Sequence, residues 1–135
     1  MLSKRQALFA QNVAKLIAYC AAIGKPCTLG EAYRTQEQAA IYAKEGKGIK
    51  NSLHCQRLAI DLNLFSSDYT YHPDKEFYKE AAEFWESLHE CNRAGYYFPN
   101  GDADHFEMMD NDGIYIHKEK DGSLSYSKAE NPMLK

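Results

Sequence analysis

At 135 residues the chain has room for one domain and a single core, and not for two domains of ordinary size. Its 44% hydrophobic and 26% charged residues are ordinary for a water-soluble globular protein, and nothing in it resembles a membrane span. A formal charge of -3 with dispersed Lys and Arg excludes the concentrated basic footprint of a nucleic-acid binder.

Residues 3–23 place Phe9, Val13, Leu16, Ile17 and Cys20 on one stripe, which predicts an amphipathic helix. Gly24 stops it and Pro26 forbids its continuation. Lys4 and Arg5 precede a segment interrupted by Gln11, Asn12 and Lys15, which makes a poor secretory signal or export anchor. Lys25 to Tyr33 suits a strand. Thr35-Gln36-Glu37-Gln38 is a capping-box pattern that opens a second helix, carrying Ala39, Ile41 and Tyr42 toward Glu45. Gly46 and Gly48 end it in a loop that leads to Ser52.

Residues 59–65 read as a strand with Asp61 and Asn63 on one face and Ile60, Leu62 and Leu64 on the other. Ser66 to Pro73 is loop. A third helix, from about Asp74 to Cys91, shows Phe77, Ala81, Trp85 and Leu88 at helical spacing. Gly95 to Gly101 is turn-rich, and a strand then runs through His105 to Met109. Asp110-Asn111-Asp112-Gly113 and Asp121-Gly122 are turns framing strands at Ile114 to Lys118 and near Leu124 to Tyr126. Helices and antiparallel strands mix without strict βαβ alternation, which predicts an α+β fold in one domain over residues 1–135. Its centre is a small antiparallel sheet packed with about three helices.

Two stretches carry chemistry: Ser52-Leu53-His54-Cys55-Gln56-Arg57-Leu58-Ala59-Ile60-Asp61 and Asp102-Ala103-Asp104-His105-Phe106-Glu107. Each supplies a histidine with carboxylates beside or shortly after it. Two imidazoles and one carboxylate are a complete protein ligand set for a catalytic zinc, leaving the fourth position for water. A spare carboxylate beside that water is a ready general base. His54 and Asp61 are an odd number of positions apart, so they converge only if the chain turns between them, and Gln56-Arg57 is the place. His105 and Glu107 share a strand face. Asp102 lies in the turn before them and can swing in beside a metal, whereas strand alternation sends Asp104 to the opposite face.

The order Tyr33-Arg34-Thr35, Ser52-x-His54, Ala59-x-Asp61 and Asp102-x-x-His105 resembles the zinc peptidases that include D-alanyl-D-alanine carboxypeptidases, D-alanyl-D-alanine dipeptidases and phage L-alanyl-D-glutamate endopeptidases. The match runs from about Thr28 to Met108. The resemblance implies one Zn2+ per chain held by His54, Asp61 and His105 on the sheet, with Asp102 as general base. It also implies that Arg34 polarises the scissile carbonyl. Ser52 and Glu107 then support the ligands. Length, the aspartate base and the missing signal peptide are similar to the phage endolysin branch, without a separate cell-wall-binding domain. That branch implies an L-alanyl-D-glutamate endopeptidase acting on peptidoglycan stem peptides. It would be a monomer made in the host cytoplasm, without stable membrane binding, that reaches the periplasmic cell wall through a separately encoded holin-like partner. Two other readings stay open: a D-alanyl-D-alanine carboxypeptidase or dipeptidase, and a zinc-bearing module without turnover.

The remaining candidates have simpler readings. Cys20, Cys27, Cys55 and Cys91 form no C-x-x-C pair and read as free thiols. Cys55 adjoins His54 and is a fourth-ligand candidate, but neighbouring residues on extended chain point apart. His72, His89 and His117 read as structural, with His89 in the last turn of the third helix, where positive charge is favourable. The Asp110–Gly113 segment lacks the distal glutamate of a calcium loop. Tyr96, Tyr97 and Phe98 suit either a groove wall or the core. Lys47, Lys50, Arg57 and Arg93 are the cations available to clamp a free substrate carboxylate.

Overall fold

The computed structural model describes residues 1–47, 52–99, 101–109, 114–118, 121 and 124–128. Among the described residues three helices, α1 (Leu2–Ala22), α2 (Gln36–Lys44) and α3 (Lys79–Leu88), accompany six strands. The strands are β1 (Cys27–Leu29), β2 (Ala59–Leu64), β3 (Asn92–Ala94), β4 (His105–Met108), β5 (Ile114–Lys118) and β6 (Leu124–Lys128). The first four form an antiparallel sheet in the order β1-β2-β4-β3, while β5 and β6 pair with each other. This is the expected α+β arrangement. Among the described residues no helix is long and apolar enough to cross a membrane.

Helix α1 ends where the sequence predicts. Gly24 takes a φ of +76°, and the chain closes with Gly24 N–H on the Ala21 carbonyl (3.1 Å) and Lys25 N–H on the Cys20 carbonyl (2.8 Å). Those bonds satisfy carbonyls the helix would otherwise leave bare. Thr35 likewise caps α2, its hydroxyl accepting from Gln38 N–H at 3.0 Å.

The core lies between α1, α3 and one face of the sheet. Phe9, Leu16 and Cys20 of α1 meet Trp85 and Ala81 of α3, with Leu62 and Leu64 of β2 and Phe106 and Met108 of β4 beneath them, all buried. Trp85 sets its ring edge-on to Phe9 and Phe106, with centroids 5.6 and 6.0 Å away. Its Nε1 donates to the carbonyls of Arg93 (3.1 Å) and Glu107 (3.0 Å), so one side chain pins α3 to both β3 and β4. Truncating such a residue to alanine costs ~3–5 kcal/mol. Alternation does the rest: because Leu62 and Phe106 face the core, Asp61 and His105 face away from it.

Three expectations are corrected here. The strand expected over 25–33 is regular only at Cys27–Leu29, after which Gly30 and Glu31 pair irregularly with Asp61. The third helix opens with a 3-10 turn (Lys75–Tyr78) and ends at Leu88, because the chain straightens at His89 to enter β3, a strand the sequence reading lacked. His89 is therefore not in a helical turn. Its Nδ1 accepts from Cys91 N–H at 3.0 Å, and burial lowers its pKa, so it favours the neutral form rather than a helix-end cation. The Asp110–Gly113 segment, Gly48 and Gly122 lie outside the described residues.

Candidate metal centre

His54 is carried by a single 3-10 turn, Leu53–Gln56. Ser52 caps it in extended conformation, its hydroxyl accepting from His54 N–H at 3.2 Å. At the other end Arg57 adopts a left-handed φ of 57°, rare for a residue with a side chain, and its N–H returns to the His54 carbonyl at 3.3 Å. This is the reversal that the odd spacing between His54 and Asp61 demands. It delivers the chain into β2 with Asp61 turned back toward His54.

Asp61 and His105 are direct cross-strand partners on β2 and β4. His54 Nε2 lies 3.2 Å from His105 Nδ1 and 3.3 Å from Asp61 Oδ1, and His105 Nδ1 lies 3.4 Å from the same oxygen. A tetrahedral zinc with bonds of 2.0–2.1 Å requires ligand atoms about 3.3–3.4 Å apart. The triangle fits that requirement, and among the described residues it is the group of His, Cys, Asp and Glu side chains that could hold a metal ion.

The electrostatics favour a cation. Burial alone would push the His105 imidazole down, yet its hydrogen bonds to Asp61 and Glu107 raise it to about 9. Burial would raise Asp61, yet the bonds from His105 and His54 hold its carboxyl down at about 2. His105 Nε2 donates to Glu107 Oε1 at 2.7 Å, so that the Nδ1 proton is the one a metal in the triangle would displace, freeing the Nδ1 lone pair. Glu107 is itself held by Arg93, through Nε at 3.0 Å and Nη2 at 2.6 Å. Glu107, which the resemblance implies as a support, thus holds the His105 ring from behind. Arg93, a clamp candidate, is committed to Glu107.

Asp102 reaches within 3.8 Å of His105 Nδ1 while half exposed, beside the triangle without completing it. Asp104 departs from the expectation. Residues 103–104 form a turn and β4 starts only at His105, so alternation does not govern Asp104. Its half-buried carboxyl lies near those of Asp61 and Asp102, and burial together with these two acids raises it to about 6.

Two glycines, Gly95 of the turn-rich stretch and Gly30, which the sequence reading did not single out, make these approaches possible. A Cβ on Gly95 would lie 2.0 Å from the Asp102 carbonyl oxygen, and one on Gly30 would lie 3.0 Å from Asp61 Cβ. Both adjoin short strands, and an isolated glycine beside a strand pattern is the signal of close backbone approach.

Arg34 lies against Glu31 and Tyr42. Its Nε donates to Glu31 Oε1 at 2.6 Å, Nη2 bonds the same oxygen, and the guanidinium lies 5.0 Å over the Tyr42 ring. Of the other clamp candidates, Lys47 pairs with Glu45, Arg57 lies 4.0 Å over Tyr33, and Lys50 is outside the described residues. Cys55 points its thiol toward the Thr35 carbonyl at 3.8 Å and takes no part in the triangle. His72 stacks on Phe77, and the His117 side chain is outside the described set. Phe98 packs against His105 at 5.7 Å, whereas the Tyr96 hydroxyl donates to Glu76. An apolar hollow of about 400 Å³ among Phe9, Val13, Tyr33, Arg57 and Ile60 includes none of the three residues of the triangle.

The chain is therefore an α+β domain with a His-Asp-His group that could hold a metal ion. Its fold is similar to the crystal structure of Serratia marcescens L-Ala D-Glu endopeptidase ChiX, at 15% identity and a TM-score of 0.55, over 63% of this chain and 68% of that one. No family model matches the chain. No curated protein matches it by sequence.

Proposed function

We propose that this chain is a zinc-dependent peptidase of peptidoglycan that cuts the L-Ala-D-Glu bond of stem peptides. The observation that carries the reading is the 3.2–3.4 Å triangle of His54, Asp61 and His105 with the Asp102 carboxylate 3.8 Å from one corner. The likeness in fold to an L-Ala D-Glu endopeptidase supports the choice of bond. His54, Asp61 and His105 would hold the zinc ion, which would supply a water of near-neutral pKa and a Lewis acid for the carbonyl.

The residues around it divide the remaining work. Asp102, half exposed, takes the proton of an attacking water and returns it to the leaving nitrogen. Asp104, close enough to share a proton with Asp102, is a reserve for that proton rather than the first acceptor, because Asp102 is the acid that approaches His105. Arg34 gives Glu31 its Nε and one Nη, and the rest of its planar fork remains the group for a developing oxyanion. Glu107 and Arg93 keep His105 in the tautomer that faces the triangle.

The test is incubation of the zinc-loaded protein with purified stem peptide, the fragments read by mass spectrometry. Cleavage between L-Ala and D-Glu is expected. Release of D-Ala alone would move the assignment to a carboxypeptidase, and an intact peptide with zinc bound would make the chain a non-catalytic zinc module.

A further inference from the structure

The Nε2 of His54 faces the triangle, and its other ring nitrogen, Nδ1, faces Glu31. A metal ligated by Nε2 leaves the imidazole neutral, with its proton on Nδ1. That nitrogen is buried, in a side chain 2% exposed, and has no hydrogen-bond partner among the described residues. A buried N–H left unmatched is costly, and metal-bound histidines almost always give the second N–H to a carboxylate, carbonyl or water. The Glu31 carboxylate approaches it, with Oε1 at 3.9 Å.

Glu31 is no loose surface acid. Its carbonyl accepts Asp61 N–H at 2.9 Å, and the adjacent Gly30 N–H donates to the Asp61 carbonyl at 2.7 Å, so its backbone is tied to a metal-site residue. Arg34 grips Oε1 by two groups, and Arg34 N–H donates to the His54 carbonyl at 3.2 Å. The segment 30–34 therefore holds His54 through its backbone and presents a clamped carboxylate to its ring.

We infer that Glu31 is the positioning residue of His54: it accepts Nδ1–H once Nε2 is engaged by metal, closing the gap to hydrogen-bond length, while Arg34 keeps the carboxylate in place. His54 and His105 are then buttressed alike, by Glu31 with Arg34 and by Glu107 with Arg93. This rests on the zinc reading of the site.

The experiment uses the full chain and zinc itself. Zinc affinity is measured by chelator competition, and the His54 ring nitrogens and Nδ1 proton by NMR of the zinc-loaded protein. The wild type should show the Nδ1–H tautomer with a hydrogen-bonded, slowly exchanging proton. Glu31→Ala should weaken zinc binding roughly 10–100-fold and make that proton exchange rapidly. Glu31→Gln, which keeps an acceptor oxygen, should restore most of both. Unchanged affinity in Glu31→Ala overturns the proposal, as does weakened affinity with an unaltered Nδ1 signal. If Glu31→Ala does not fold, a wild-type His54 with the opposite tautomer or an unbonded Nδ1–H overturns it. A wild type that takes up no zinc overturns the proposed function, and this inference with it.

Discussion

His105 and His54 bring nitrogens within 3.2 Å of each other, yet the chain places them by different means. His105 rides on β4, between β2 and β3, with Glu107 at 2.7 Å behind its ring and Trp85 fastening the strand's backbone to α3. His54 rides on one 3-10 turn between a serine cap and a left-handed arginine. A strand inside a sheet shares its position with every ladder bond around it, whereas a lone turn depends on a few named contacts. The comparison teaches that two neighbouring histidines of one candidate site need not be equally secured by their backbone, and substitutions can probe how far that inequality extends.

The largest effect should ignore the difference. His54→Ala, Asp61→Ala and His105→Ala each remove one corner of a three-residue set, and each should abolish stable binding of the expected one zinc per chain. Elemental analysis after dialysis measures it; full zinc in all three would break the metal centre as described. The next effect separates chemistry from support. Asp102→Ala should retain zinc and fold but lose ~10²–10⁴ in hydrolysis rate, with Asp104→Ala losing less. The reverse order would transfer the base to Asp104.

The smallest effect sharpens the contrast itself. Ser52→Ala removes the cap of the His54 turn and should cost ~0.5–2 kcal/mol in denaturant unfolding, while leaving the His105 resonances where they are. An equal disturbance at His105 would show that turn and sheet move as one unit.

Much of this was legible in the chain. The stripe from Phe9 to Cys20 with Gly24 behind it predicted α1, the alternation of Asp61 with Leu62 predicted which face of β2 looks outward, and Thr35 marked the start of α2. The need for a reversal near Gln56-Arg57 followed from counting positions, and Arg57 supplies it. These are signals written within a few residues, by backbone sterics and side-chain period.

Other features only the tertiary structure decided. β3 is three residues long, too short for any period to announce, and exists because β4 lies beside it. Asp104 joins Asp102 because a turn replaces the strand assumed there. Arg93 serves Glu107 across the sheet, and Arg34 and Glu31, three residues apart, form a support only because the distant His54 is packed against them. Gly30 and Gly95 count for the same reason: their missing side chains admit residues 31 and 7 positions away. Local pattern determines which elements form and which way they face. Partnership between side chains far apart in the chain is settled by how the elements pack, because burial and close approach arise only once segments meet.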